Sequence, residues 1–400
     1  VAVFAVVYLG MFLGGLPRLK LDRTGVALLG AIAVIAITGM SVQDAARAVD
    51  LPTLVLLFSF MVLSAQMRLG GFYTAVVRRV GATSWGPAGF LGALIGVAAA
   101  LSAVFSNDVV CLAMTPVVVR LALQRGQNPV PLLLALACAA NIGSAATLIG
   151  NPQNMLIGSV MKLSFAGYAL QAALPVAVSL LLLWAWLVWG PPRRQLRQAV
   201  TLLPHDPPPP DPPFDPVQTA KGLTVAGVLM AIFLFTGWPH DVAALVGAGV
   251  LLLSRRLHSS HVMGFVDWPL LLLFIGLFVV NHAFEQTGLS GQAVAWLAQR
   301  GVIVGDPGVL LVLGVLLSNV VSNVPAVMLL LPHLNGPQAG TTLALVSTFA
   351  GNLLLVGSIA NLIVVDLARR SGGAIDWRQH AAVGVPVTLG SLAVVALFAL

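Results

Sequence analysis

Residues 101–116 read LSAVFSNDVVCLAMTP, and residues 317–332 read LSNVVSNVPAVMLLLP. Leu101, Ser102, Ser106, Asn107 and Pro116 of the first stretch recur as Leu317, Ser318, Ser322, Asn323 and Pro332 of the second, at a constant offset of 216. In each stretch a small polar centre interrupts an apolar run. A chain this apolar that turns at such a centre reads as a helical hairpin, expected at about 87–124 and about 303–333.

Two further correspondences fall in the same order. Val49-Asp50-Leu51-Pro52 returns as Val266-Asp267-Trp268-Pro269, and Gly150 with Asn154 returns as Gly357 with Asn361. A chance match of small residues is the competing reading, but ordered matches along the whole chain are the signature of an internal repeat.

Composition states the solvent. Of 400 residues 58% are apolar and only 8% charged, against about 25% charged in a soluble domain. Apolar stretches of about 15 to 22 residues recur from end to end, the length that crosses a hydrocarbon core of about 30 Å. Backbone polar groups in lipid must be satisfied within the segment, so these stretches are helices. The first stretch has no basic lead-in and no small-residue cleavage site, so it reads as a retained helix rather than a signal peptide. The net charge of +7 is not organised as a basic face interleaved with aromatics, which argues against nucleic acid as a partner and leaves membrane lipid. Cys111 and Cys138 lie inside apolar segments and form neither a disulfide framework nor a CxxC site.

The spans are expected at about 1–16, 24–40, 52–67 and 168–190, with an interrupted helix at about 131–160. The second set is expected at about 221–237, 241–254, 268–284 and 379–400, with an interrupted helix at about 340–370. Between them Pro191 to Gln218 holds ten prolines, a composition for an extended linker. The reading is therefore a first repeat over 1–190, a cytoplasmic linker over 191–218 and a second repeat over 219–400. Cytoplasmic loops collect Lys and Arg. With the linker inside and both hairpins returning to the side they came from, all of the 20 basic residues except Arg47, Lys162 and Arg300 fall inside. Both termini then face outward, and an odd number of crossings between matching elements inverts the second repeat. The fold class is an all-α polytopic membrane protein of two inverted repeats, each with about five spanning helices, one broken, and one re-entrant hairpin.

Four constellations carry chemistry. In the first hairpin Ser102, Ser106, Asn107, Asp108 and Thr115 interrupt the apolar run. An aspartate at membrane depth costs about 2.5 to 3.5 kcal/mol on insertion scales, so Asp108 is either a carboxylate satisfied by local backbone or a proton or cation ligand at the tip. In the second hairpin Ser318, Asn319, Ser322 and Asn323 supply hydroxyl and amide oxygens, and Pro325 stops the incoming helix; helix-packing glue is the alternative. Gly143 through Asn154, with Gly150, Asn151 and Pro152, and Gly351 through Asn361, with Gly357 and Ser358, break helices at mid-span. A break turns one half-helix's carbonyls toward a cation and the next half-helix's N–H groups toward an anion; a simple kink is the alternative. The expectation is that Asn107, Gly150, Asn323 and Gly357 converge near the membrane midplane, with Asn151, Asn154, Ser358 and Asn361 around them. Asp108 is the expected coupling residue. Asn281, His282 and Glu285 fit an external mouth or an interfacial helix end, and Asp366, beside Arg369 and Arg370, fits a surface charge.

At these motifs the chain resembles the ion transporter superfamily: arsenite efflux permeases, sodium/proton antiporters of the NhaD type, citrate transporters and divalent-anion/sodium symporters. Ser106-Asn107-Asp108 with Thr115-Pro116, Ile149 through Asn154, Ser322-Asn323-Val324-Pro325 and Gly357 through Asn361 carry the likeness, which spans essentially the whole chain. It is similar above all to short bacterial permeases with a citrate-transporter-like domain. The resemblance implies an inner-membrane homodimer whose transport unit carries the site across the bilayer, with no cofactor and with H+ or Na+ as coupling ion. It also implies one sodium site at Ser102, Ser106, Asn107 and Gly150 and another at Ser318, Ser322, Asn323 and Gly357. Two departures matter: Asp108 and Val324 stand where the divalent-anion branch has threonines, which removes hydroxyls and adds a charge that repels a dianion.

The expected function is secondary transport of a small inorganic oxyacid or anion, arsenite-like, coupled to H+ or Na+. A Na+/H+ antiporter and a sodium-coupled di- or tricarboxylate carrier are the alternatives. An enzyme is disfavoured, since the chain has no HExxH, no GxSG-type nucleophile and no paired aspartates on facing helices.

Overall fold

A computed structural model describes residues 1–16, 19–193, 213–371 and 373–399. Its first half contains α1 (Ala2–Leu13), α2 (Arg23–Thr38), α3 (Val42–Arg47), α4 (Leu51–Leu69), α5 (Phe72–Gly81), α6 (Pro87–Ser102), α7 (Asn107–Gln124), α8 (Pro129–Ser144), α9 (Pro152–Val160) and α10 (Phe165–Trp189). Its second half contains α11 (Pro216–Phe235), α12 (His240–Leu252), α13 (Ser259–Met263), α14 (Trp268–Glu285), α15 (Leu289–Ala298), α16 (Pro307–Val321), α17 (Asn323–Leu330), α18 (Pro337–Ala350), α19 (Ile359–Arg370) and α20 (Trp377–Ala399). The two lists run in the same order, although α17 has 8 residues where α7 has 18, and α1 has 12 where α11 has 20.

The recurring sequence matches have local physical causes. Asp50 and Asp267 cap α4 and α14, accepting the N–H of Thr53 and of Leu270 at 3.1 and 3.0 Å, and Pro52 and Pro269 occupy the first turn, where a missing N–H costs nothing. Prolines likewise open α6, α8, α9, α11, α16 and α18. Pro175 and Pro386 sit inside α10 and α20 at matching places. At the start of α11 the half-buried Asp215 carboxyl is held below its usual range, first by the backbone N–H of Gln218.

Two layers result. In one, α2 packs on α14 and α12 on α4, with α1 and α11 alongside. The contact is backbone-close: a Cβ on Gly276 would lie 2.7 Å from the carbonyl carbon of Ala27. In the other, α6 packs on α8, α16 on α18, α10 on α20, and α7 on α19. Each half's hairpin and broken helix are thus shared with the other half's, as two repeats related by inversion require.

Some expectations are corrected. The helix at the expected span 1–16 has only 12 residues, since Gly14 ends it early, whereas those at 24–40 and 241–254 end within two residues of expectation. Among the described residues six helices are long and apolar enough to cross a membrane. Four short helices, α3, α5, α13 and α15, join the spans and escape a reading tuned to long apolar runs. The all-α class holds; the loop between α1 and α2 adds only a two-residue hairpin, in which β1 (Gly15–Leu16) and β2 (Leu21–Asp22) pair antiparallel, Gly15 opposite Asp22. The proline-rich linker falls largely at 194–212, outside the described residues, and α11 already begins at Pro216, within its expected range.

Candidate functional site

The hairpin tips are built from one unusual backbone conformation used twice. Ser106 joins α6 to α7 with φ 53° and ψ 128°, and Ser322 joins α16 to α17 with φ 78° and ψ 158°. Positive φ is uncommon outside glycine and is costly, so its presence at two equivalent serines points to a constrained turn held by its surroundings. The next residue enters the helix, and the N–H of Asn107 donates to the carbonyl of Gly150 at 3.2 Å, tying the first tip to the first break. The second tip is as close to its own break: a Cβ on Gly351 would lie 3.2 Å from Asn323 Nδ2, and one on Gly357 3.0 Å from Asn319 Oδ1.

The breaks occupy residues 145–151 between α8 and α9 and 351–358 between α18 and α19. Asparagines hold them open. Asn154 donates through Nδ2 to the Thr147 carbonyl at 3.2 Å and to Tyr168 Oη at 3.1 Å, and Asn361 donates to the carbonyls of Gly351 and Leu354 at 2.9 and 3.4 Å. Asn151 caps α9 by accepting the N–H of Asn154, and Ser358 caps α19 by accepting that of Ala360. These four expected site residues are therefore staples of the unwound backbone, their groups already engaged. Gly150 is required by space, since a Cβ there would lie 2.1 Å from the Ser144 carbonyl oxygen.

Two residues that the sequence reading missed join the halves. Asn141 of α8 donates to Asn352 Oδ1 at 2.8 Å and Asn361 Oδ1 at 3.2 Å, and accepts from Asn107 Nδ2 at 2.8 Å and Ser358 Oγ at 3.0 Å. Thr348 of α18 accepts from Asn151 at 3.2 Å and Gln153 at 3.4 Å and donates to Asn154 Oδ1 at 3.3 Å. The offset of 207 that relates Gly150 to Gly357 also relates 141 to 348, and a polar residue at both would have betrayed them.

Against this satisfied background a few atoms stand out. Ser102 Oγ, Asn107 Oδ1, Ser318 Oγ, Asn319 Oδ1 and Asn323 Oδ1 are buried and have no hydrogen-bond partner among the described residues. Four of the five form two equivalent pairs, Ser102 with Ser318 and Asn107 with Asn323. A buried polar group without a partner costs about 1 to 3 kcal/mol, and oxygens so placed suit a bound cation or a hydroxylated solute. Asp108 is half-buried in the first turn of α7, and no side-chain partner reaches it among the described residues.

A cavity of about 580 Å3 lies behind the first break, lined by Leu148, Ile149, Ser159, Lys162, His240 and Asp241 among others. Beside it Ser159 Oγ donates to Asp50 at 2.8 Å, joining α9 to the cap of α4. Of the residues read as a possible mouth, Asn281 is buried and accepts from Tyr8 Oη at 2.8 Å. Asp366 pairs with Arg370 at 2.8 Å on the surface.

Comparison with known proteins agrees with this architecture. Residues 11–350 match the profile of the family described as citrate transporter. The chain is 31% identical to the silicon efflux transporter LSI3 of Oryza sativa subsp. japonica, over 96% of this chain and 94% of that one. It is 32% identical to the inner membrane protein YbiR of Escherichia coli, over 83% of each. Among solved structures, the YdaH transporter of Alcanivorax borkumensis superposes with a TM-score of 0.62 at 16% identity, covering 100% of this chain and 97% of that one, a likeness of fold.

Proposed function

The chain belongs to the citrate transporter family of the ion transporter superfamily, and from that premise we propose that it is a secondary active carrier of a small uncharged oxyacid, arsenite-like or silicic, coupled to H+ or Na+. The observation that carries this reading is the pair of matched orphan oxygens, Ser102 with Asn107 and Ser318 with Asn323, at the two hairpin tips. Hydroxyl and amide groups hydrogen-bond neutral hydroxylated solutes and replace water around a sodium ion. The residues at 101–116, 143–154, 317–332 and 351–361 include no Lys, Arg or His, and Asp108 adds negative charge. A tricarboxylate brought here would meet no compensating cation, which disfavours citrate itself.

On this reading Ser102, Ser106, Asn107 and Gly150 hold one cation and Ser318, Ser322, Asn323 and Gly357 the related one. The hairpins are re-entrant, the linker is cytoplasmic, both termini face out of the inner membrane, and two copies form the working dimer. Purified protein in liposomes tests it. An imposed proton or sodium gradient drives accumulation of arsenite or silicic acid, and citrate does not compete. Citrate accumulation, or oxyacid flux indifferent to both gradients, contradicts it.

A second reading rests on Asp108, an unpartnered carboxyl next to the orphan oxygen of Asn107: a Na+/H+ antiporter. Sodium-dependent proton flux without any oxyacid, read by a trapped pH dye, selects it.

A further inference from the structure

His380 lies in the first turn of α20 and is 2% exposed. Its Nε2 is 3.0 Å from the backbone carbonyl of Asn352, the second residue of the break between α18 and α19. A carbonyl only accepts, so the ring carries a proton on Nε2 in this contact. The fit is close, for a Cβ on Gly384 would lie 2.2 Å from the same oxygen and 2.9 Å from Nε2. The first repeat makes the same attachment with another group. Tyr168, in the first turn of α10, donates through Oη at 2.7 Å to the carbonyl of Ala145, and residues 145 and 352 are equivalent at the offset of 207. Each break is thus pinned at one matching carbonyl, once by a phenol and once by an imidazole.

The difference has chemical content, because only the imidazole takes up a second proton near neutral pH. Apart from the Asn352 carbonyl itself, the buried surroundings of His380 offer that charge no counter-ion, and burial strips the water that would solvate it. Of the elements packed on α20, α10 contributes Tyr168 and, past its end, the exposed Arg193; α8 contributes the thiol of Cys138; α16, α18 and the 355–357 turn contribute no titratable side chain. On the α20 side Arg378 lies over Trp377, and the carboxyl of exposed Asp376 accepts the N–H of Gln379 at 2.7 Å. A doubly protonated ring is therefore better placed turned toward the exposed start of α20, which leaves the Asn352 carbonyl unpaired.

From Asn352 the connection to the site is continuous. Its Oδ1 accepts from Asn141, whose own Oδ1 accepts from Asn107, the residue with the orphan oxygen at the first tip. We propose that His380 is a positioning residue that pins the second break in its ligand-ready form and frees it on taking a second proton, so that proton and cargo oppose one another. The effect on cargo rests on the carrier reading above, and reciprocity then makes cargo binding expel the proton. His380 is distinct from Asp108, which lies at the tip itself.

Hydrogen exchange on the full chain in lipid nanodiscs tests it, with rates corrected for the intrinsic effect of pH. Between pH 8 and pH 5.5 protection across 351–361 falls about tenfold or more, while 145–154, pinned by Tyr168, keeps its protection. His380→Gln, which retains an N–H donor without a titrating ring, abolishes the pH response. Tyr168→Phe loosens 145–154 equally at both pH values. Equal pH responses of the two breaks in the unmodified protein overturn the proposal without need of any variant, as does an undiminished response in His380→Gln. Silicic acid counterflow in liposomes at equal pH on both sides is scored separately. Its absence counts against the carrier reading, whereas the exchange result alone decides the role of His380.

Discussion

Asn141 and Thr348 hold the same position in the two repeats, and each reaches across to hydrogen-bond the broken helix of the other half. The halves are therefore joined at their centre by side chains as well as by packing. Asn141 makes three such bonds, to Asn352, Asn361 and Ser358, and a fourth with Asn107 of its own half. Asn141→Ala leaves several buried groups unpaired, at about 1 to 3 kcal/mol each. We expect a marked loss of thermal stability in detergent, with Thr348→Val weaker and Thr348→Ser close to the unmodified protein. Melting followed by size-exclusion fluorescence checks the order; equal stability of Asn141→Ala and Thr348→Ser contradicts it.

The two break glycines are not equivalent in their surroundings. A Cβ at 150 would meet backbone at 2.1 Å, whereas one at 357 would meet a side-chain oxygen and a carbonyl at 3.0 Å. Gly150→Ala must move the break and should abolish transport and lower the yield of folded protein. Gly357→Ala asks Asn319 and the Gly351 carbonyl to give by a few tenths of an ångström and should retain measurable transport. Parallel purification and uptake assays decide it, and equal tolerance at both positions is the contrary result.

Much of this was legible because the constraints were local. Mid-span Gly, Asn and Pro announce the breaks at 145–151 and 351–358, and the matched polar centres announce the hairpin tips. Asn141 and Thr348 escaped because their purpose lies across the repeat boundary, in contacts between residues some two hundred positions apart. The same holds for His380, which looks like an ordinary helix-end histidine until Asn352 is placed beside it. Nor could the sequence separate staples of the break from residues with free polar groups. Asn154 and Asn107 are the same residue type near the same site, yet one spends its amide on the break and the other keeps a free oxygen. Short helices such as α3 and α13, of 6 and 5 residues, fell below the length that periodicity resolves.

Asp108 is the half-buried carboxyl closest in sequence to the orphan oxygens. We expect Asp108→Asn to fold and reach the membrane, to lose uphill transport driven by a proton gradient, and to keep exchange of cargo between equal pools. The measurement is concentrative uptake against counterflow in the same liposomes. Unchanged uphill transport removes Asp108 from the coupling step.

The central claim is that the two hairpin tips line one shared site through Asn107 and Asn323. Calorimetric titration of the preferred oxyacid into the unmodified protein, Asn107→Ala, Asn323→Ala and the double variant tests it most directly. Removing one ligand group costs about 1.4 to 2.8 kcal/mol, a roughly ten- to hundredfold loss of affinity in each single variant. Because neighbours in one site couple, the double variant should lose less than the sum of the two. Near-native affinity in both single variants, or strict additivity in the double, would contradict a shared site.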